Sequence, residues 1–227
     1  MPTTPLLNVC GLSITVAERS LVSAATFAIP AGSIVGLSGD SGCGKTTLAL
    51  ALLRLLPRRY GVTGSIRLRE RELMALPESR LERIRGAELS MVFQDPLAAL
   101  NPVMRVRDQV SEAVRAHAGR QPVEQLLELV ELPYSEHIRQ AYPHQLSGGE
   151  RQRVCLALAL AAEPALVIAD EPFSALDACR VLELARLFRS LKLQLRTSFL
   201  LISHSRDVLA RLADGVIAMR DGCMHGS

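Results

Sequence analysis

One short stretch limits what this chain can fold into more than any other. Gly39-Asp-Ser-Gly-Cys-Gly-Lys-Thr-Thr47 follows the apolar run Ser33-Ile-Val-Gly-Leu-Ser38 and leads into an Ala- and Leu-rich run from Thr46 to Leu56. An apolar run of this length reads as a buried parallel strand, and the Ala/Leu run reads as a helix. The residues between them fit the spacing G-x-x-x-x-G-K-[ST], with Gly39, Gly44, Lys45 and Thr46 in register. Gly39, Gly42 and Gly44 let the backbone turn tightly and bring N–H groups close to an anion. The following helix aims its positive end at the same place. This combination predicts a phosphate-binding loop built from Gly39, Asp40, Ser41, Gly42, Cys43, Gly44, Lys45, Thr46 and Thr47. Lys45 would reach the β- and γ-phosphates of a nucleotide, and the Thr46 hydroxyl would ligate Mg²⁺. Lys45 and Lys192 are the lysines among 26 basic residues, so a lysine at the required position is not background.

Composition sets the outer bounds. At 227 residues the chain can bury a sizeable core, and its 48% hydrophobic and 22% charged content is ordinary for a globular protein. Aromatic residues make up only 4% and Trp is absent, which leaves little surface for stacking on nucleic-acid bases, so no nucleic-acid partner is expected. The net charge of +3 is compatible with an anionic ligand without demanding one. The five cysteines (Cys10, Cys43, Cys155, Cys179 and Cys223) are scattered without C-x-x-C, which reads as reduced thiols, with Cys10, Cys155 and Cys179 filling the core. Cys43 lies near a helix N-terminus, which favours thiolate; an inert small residue in a turn is the competing reading. Val154 to Ala162, the longest apolar run, is too short to cross a bilayer, so any membrane association is expected to run through a partner.

Further strands are expected at Leu6 to Val16, Ala24 to Ile29, Leu89 to Phe93, Leu166 to Ala169 and Ser198 to Ser203. A turn bracketed by Gly61 and Gly64 should precede a half-exposed strand from Ser65 to Arg69, suggesting a small antiparallel sheet beside the parallel one. Helices are expected at Pro77 to Arg85, Val106 to Ala118, Pro122 to Leu132, Ser135 to Gln140, Glu150 to Ala162, Leu176 to Leu195 and Arg206 to Ala213. Val216 to His225 reads as a hairpin around Asp221-Gly222. The arrangement is α/β: a single domain over 1–227, with an α/β core and β subdomain over 1–94 and 163–227 and a helical insertion over 95–162. The clusters Arg67, Arg69, Arg71 and Arg80, Arg83, Arg85 read as solvated faces.

Five more stretches follow the phosphate loop in order. Gln94 ends the Met-Val-Phe strand; Gln145-Leu-Ser-Gly-Gly-Glu-Arg-Gln-Arg153 opens a helix; Ala165-Leu-Val-Ile-Ala-Asp-Glu171 ends in two carboxylates; then come Ser174-Ala-Leu-Asp177 and Leu200-Leu-Ile-Ser-His204. Any one of them is bland, but their order and spacing together resemble the ATP-binding cassette ATPases over nearly the whole chain. That resemblance implies a P-loop NTPase (RecA-like) parallel sheet, ATP hydrolysis, and these roles. Asp170, Thr46 and Gln94 would hold Mg²⁺. Glu171 would polarise the attacking water, and His204 would bond the γ-phosphate, with Gln94 and Lys45 completing the catalytic set. Ser147, Gly148, Gly149 and Asp177 would meet ATP bound to a second ATPase subunit packed head to tail, as a homodimer or with a paralogue.

Phe93-Gln-Asp-Pro-Leu-Ala-Ala-Leu-Asn-Pro102 and Tyr142-Pro-His-Gln-Leu-Ser147 look like the peptide and nickel importers of this superfamily. This implies two membrane permease subunits, an extracytoplasmic binding protein, and a place on the cytoplasmic face of the inner membrane. The cargo would be peptides, nickel or metal chelates, and where the chain ends tilts that expectation toward metal or chelate. Asp95 to Arg107 would form part of the permease-docking groove. The alternative is a non-transport complex such as the phosphonate C–P lyase machinery. The chain departs from the family in three places. No aromatic residue precedes Phe27, so the usual adenine-stacking position holds Val16 or a neighbour; Ser205 replaces the usual Asp after the histidine; and Phe173 replaces a commoner Thr.

Overall fold

The computed structural model describes residues 4–117, 121–174 and 176–225. Two long strands, β1 (Leu7–Val16) and β2 (Arg19–Ile29), form a hairpin that feeds β3 (Ile34–Ser38) and α1 (Lys45–Leu52). There follow β4 (Tyr60–Leu68), β5 (Arg71–Glu72), α2 (Glu78–Ile84) and β6 (Leu89–Val92). Between β6 and β7 (Leu166–Asp170) lie α3 (Pro96–Ala99), α4 (Val106–Ala116), α5 (Val123–Leu129), α6 (Glu136–Gln140) and α7 (Gly148–Leu160), with no strand among the described residues. The chain ends with α8 (Ala178–Leu195), β8 (Ser198–Ser203), α9 (Arg206–Leu212), β9 (Gly215–Arg220) and β10 (Cys223–His225).

The strands line up as β5-β4-β1-β2-β10-β9-β3-β8-β7-β6. From β9 to β6 every neighbouring pair is parallel, and from β5 to β2 every pair is antiparallel. The expected parallel core beside an antiparallel sheet is therefore present. The two parts meet where Cys223 of β10 pairs with Ser23 of β2.

Side-chain alternation along the parallel strands divides the interior. Val167, Ala169, Phe199 and Leu201 enter one apolar cluster with α4, α5, α7, α8 and α9. Leu166, Ile168, Leu200 and Ile202 point the other way, into a cluster with α1, α2 and the antiparallel strands. A strand buried on both faces reads as continuous apolar sequence, which is why these segments show no polar alternation. Helix α8 buries Leu184, Leu187, Phe188 and Leu191, a single stripe at helical spacing. Phe188 stands edge-on between Phe173 and Phe199, with ring centroids 6.0 and 5.2 Å away. Phe173, the departure noted above, is thus a core residue, 7% exposed.

The structure corrects several expectations. Gly61 and Gly64 do not bracket a turn; both lie inside β4, where Gly64 takes φ +108° at a bulge. A Cβ there would stand 2.6 Å from the Gly11 carbonyl oxygen, so the glycine serves close strand approach rather than a turn. Helix α1 stops at Leu52 rather than Leu56, because Leu53 caps it and Arg54 adopts φ +55°. Cys10 and Cys179 are exposed and fill no core; Cys155 alone of the three is buried, and that burial pushes its thiol up to about 12. Ala118, at the end of the helix expected from Val106, lies outside the described residues.

Arg85 is not on a solvated face. Its Nε and Nη2 donate to the Leu53 and Arg54 carbonyls at 2.7 and 2.8 Å, and Glu78 holds Nη1. Those carbonyls belong to the C-terminal turn of α1, which has no intrahelical donors left to offer them. Replacing Arg85 with Met should lower the unfolding free energy in urea by about 1–3 kcal/mol, the cost of leaving buried acceptors without partners. A midpoint equal to that of the unaltered protein would remove Arg85 from this role.

Candidate nucleotide site

The parallel strands bring the singled-out residues to one edge. Ser38 of β3 pairs with Ser203 of β8, and Asp170 of β7 pairs with Ile202. The carboxyl ends of three adjacent strands are therefore level, and the residues that follow them share one crevice. Open α/β sheets bind ligands at this edge.

The loop after β3 is held by its own lysine. Lys45 is 6% exposed and donates from Nζ to the Gly39 and Asp40 carbonyls at 2.8 and 2.9 Å. Gly44 caps α1 at φ +107°, and a Cβ there would lie 2.7 Å from the Leu21 carbonyl oxygen. Only glycine satisfies both the backbone angle and the close approach. Asp40, Ser41, Gly42 and Thr46 are exposed along the loop, and Thr47 is half-buried. Cys43 is half-buried and packs against the apolar cluster below α1.

Thr46 Oγ1 donates to Asp170 Oδ2 at 2.7 Å. Asp170 is 2% exposed, and its Oδ1 is buried without a hydrogen-bond partner among the described residues. Burial pushes this carboxyl above its usual range, partly offset by the Thr46 bond, while neighbouring Glu171 raises it further. An orphaned carboxylate oxygen beside a hydroxyl on a phosphate-binding loop suits a hard divalent cation whose remaining ligands are phosphate oxygens and water. Among the described residues no group of three or more His, Cys, Asp and Glu forms a cage that would hold a metal by itself.

Glu171 and His204 were expected to act separately, and the structure joins them. The Glu171 carboxylate accepts from the His204 backbone N–H at 3.0 Å, and its other oxygen lies 2.9 Å from His204 Nδ1. Glu171 adopts φ +49°, with its N–H on the Ile202 carbonyl at 2.9 Å and its own carbonyl bonded to Ser174 Oγ at 2.9 Å. Left-handed backbone at a non-glycine residue is strained, and it concentrates at functional sites. A glutamate directly after a strand gives no sequence signal for that conformation. Ser205, the other departure, bonds its N–H to Ser203 Oγ at 3.1 Å.

The remaining residues lie apart from this group. Gln94 is exposed two residues past β6 and shares a cleft with Gly148, Gln152, Ser174 and Leu176. Ser147 caps α7 in a reciprocal box: its Oγ accepts from Glu150 N at 3.3 Å, and Glu150 accepts from Ser147 N at 2.8 Å. Those bonds hold the Glu150 carboxyl below its ordinary range. Among the described residues no atom stands within 4 Å of a Cβ built on Gly148 or Gly149, so this helix tip is open toward them. Asp177 caps α8 by accepting from Arg180 N at 3.0 Å, and Ala175 beside it lies outside the described residues. Sequence reasoning missed Gln152, whose amide donates to the Pro172 carbonyl and ties α7 to the loop after β7. Its only sequence cue is its place one turn into the helix that Ser147 opens.

Asp170 also generates a stability prediction. A carboxyl raised by burial favours folding fully only below its unfolded value. Stability falls as pH climbs from there through the raised folded value, then stays level. Asp170→Asn removes the buried charge. Without nucleotide or divalent cation, the variant should melt at a higher temperature than the unaltered protein at pH 7. The gap should narrow as pH is lowered toward the ordinary carboxylate range. A lower melting temperature at pH 7 would contradict this account.

Known proteins share this chain's sequence pattern and fold. The family described as ABC transporter matches residues 22–174. A Brucella abortus protein named as a peptide import ATP-binding protein is 39% identical over 233 residues, covering 98% of this chain and 70% of its own. The oligopeptide transport ATP-binding protein OppD of Salmonella typhimurium is 37% identical over 231 residues, covering 97% of this chain and 69% of its own. Among solved structures, the ATP-binding cassette MJ0796, a post-hydrolysis dimer bound to ADP and Pi, superposes with a TM-score of 0.81. It is 23% identical and covers 97% of this chain and 98% of its own, a likeness of fold. With its phosphate loop, its paired carboxylates and its capped Ser-Gly-Gly helix in family order, this chain belongs to the ABC transporter family of ATP-binding cassette ATPases.

Proposed function

We propose that the protein is the ATP-hydrolysing subunit of an importer, working as one domain that pairs head to tail with a second ATPase subunit. The observation that carries this reading is the orphaned Asp170 Oδ1 beside the Thr46 hydroxyl, at the lip of a loop whose lysine bonds the loop's own carbonyls. Thr46 and Asp170, with Gln94, would hold Mg²⁺, which would neutralise charge on the β- and γ-phosphates. Gly39 to Thr47 would cradle the phosphates with backbone N–H groups, and Lys45 would turn from the loop carbonyls to the phosphates. Glu171 is positioned to accept a proton from the attacking water, and His204 orients that carboxylate while its exposed ring can meet the γ-phosphate.

The open tip of α7 suits a nucleotide bound to another molecule. Its cap is satisfied within its own turn, while Gly148 and Gly149 are uncovered, leaving backbone N–H groups and the helix dipole for an anion. Asp177, at the neighbouring helix start, would join that interface.

Docking to two permease subunits is supported by apolar exposure around Gln94. Phe93, Leu97 and Val103 are 44%, 50% and 82% exposed, and buried Gln109 pins the loop between them by bonding Asn101 and Met104. Among the described residues no helix is long and apolar enough to cross a membrane. The importer reading places this subunit against permeases at the cytoplasmic face. The relatives' names favour peptides as cargo over nickel or chelates; in this reading an extracytoplasmic binding protein delivers it. They lend no support to a non-transport complex.

Steady-state ATPase assays with Mg²⁺ test the chemistry. Glu171→Gln should lower turnover by about 10²- to 10⁴-fold and accumulate an ATP-bound dimer on gel filtration. A variant that stays monomeric with ATP would count against the shared-site arrangement. In vesicles reconstituted with the permeases, Val103→Asp should abolish uptake while the isolated subunit keeps its ATPase rate; unchanged uptake would remove this loop from the docking groove.

A further inference from the structure

The phosphate loop accounts for one end of a nucleotide, and no aromatic residue precedes Phe27 to receive the base at the other. The sheet beside the loop offers a different surface. Gly44 lies against β2: a Cβ there would stand 3.4 Å from Val22 Cγ2. Val22 pairs with Ile14 on β1, and both are buried in the apolar cluster shared with α1. Two residues beyond Ile14, on the same pleat face, comes Val16, and its partner on β4 is Tyr60. With about 3.3 Å per residue along a strand and about 4.8 Å between strands, Tyr60 stands on the order of 10 Å from the loop. That is about the reach from the inner phosphates to the base of an extended nucleotide.

Tyr60 is half-buried, packed partly against the same cluster, and the Arg59 guanidinium carbon lies 5.6 Å from its ring centroid. A phenol ring and a guanidinium plane together present flat π surfaces of the kind on which bases stack. The hairpin turns directly after Val16, where Ala17 and Glu18 take φ +44° and +65°. Phe27 cannot serve instead; it is 9% exposed and pairs with Val9, toward the far end of the hairpin.

We propose that Tyr60, with Arg59 over its ring and Val16 beside it, forms the platform that receives the adenine of the bound nucleotide. The base-holding residue would then come from β4 rather than from the segment before β2. This inference rests on the nucleotide reading above, and the test separates the two.

The experiment is calorimetric titration of the full chain with ADP and with inorganic tripolyphosphate, which has no base. Tyr60→Ala should weaken ADP binding by about 5- to 150-fold, the range for losing one stacked base, and leave tripolyphosphate binding unchanged. Tyr60→Phe, which keeps the ring, should restore most of the ADP affinity, and Arg59→Ala should show a smaller loss. In ATPase assays the Tyr60→Ala loss should fall on KM rather than kcat. With only three tyrosines and no tryptophan in the chain, ADP should quench part of the tyrosine fluorescence, and that quench should vanish in Tyr60→Ala. An unchanged ADP affinity in Tyr60→Ala, or an equal loss toward ADP and tripolyphosphate, overturns the platform alone. An unaltered protein that binds neither compound overturns the nucleotide reading, and the platform with it.

Discussion

The hydrogen bond from Thr46 to Asp170 is the contact on which the site's geometry depends. It links the first turn of α1 to the end of β7 across the width of β8. The bond forms only because β3, β8 and β7 run parallel and end at the same level. A one-residue slip of β7 would turn Asp170 to the other face of the sheet and bring Ala169 to the edge. Such a slip would also exchange Val167 and Ile168 between the two apolar clusters that they fill.

The same division gives each part of the site a separate foundation. The phosphate loop and α1 share their core with the antiparallel strands, so Gly44, Val22 and Tyr60 belong to one packed unit. Helix α7 shares its core with α4, α5, α8 and the opposite sheet face, so the Ser147 tip stands on the other side of the sheet's interior. The loop after β7 spans the two: Glu171 bonds to His204 and Ile202 at the sheet edge, while Pro172 accepts from Gln152 on α7. The carboxylates are therefore linked through neighbouring backbone and one hydrogen bond to the helix that Ser147 caps. Glu171, in a left-handed conformation, sits at the start of that linkage.

Much of the fold could be read from residue patterns. Continuous apolar runs ended in residues with an unmistakable chemical order, and β8 appears over the same span that its pattern predicts, Ser198–Ser203. The errors share a cause. Glycines and arginines were read by their local habits, turn formation and solvation. Gly64 instead lets β4 approach Gly11, and Arg85 caps a helix 31 residues earlier in the chain. Cys10 and Cys179 escape the burial typical of cysteine because Cys10 falls on the exposed face of β1, by strand alternation, and Cys179 on the exposed first turn of α8.

The sequence alone determined that a strand, a glycine-rich turn and a helix would cradle phosphate, because those residue types admit few other backbones. It also determined which acids, amide and imidazole follow the later strands, since each sits directly after a run whose apolar character leaves no choice but burial. Tertiary structure alone decided that one oxygen of Asp170 is left unpaired, that Glu171 and His204 share a hydrogen bond, and that Tyr60 stands across from Val16 on the loop's side of the sheet. These relations join residues distant along the chain. They are settled by strand order and register, which no local pattern encodes and which follow only when both faces of the sheet are buried at once.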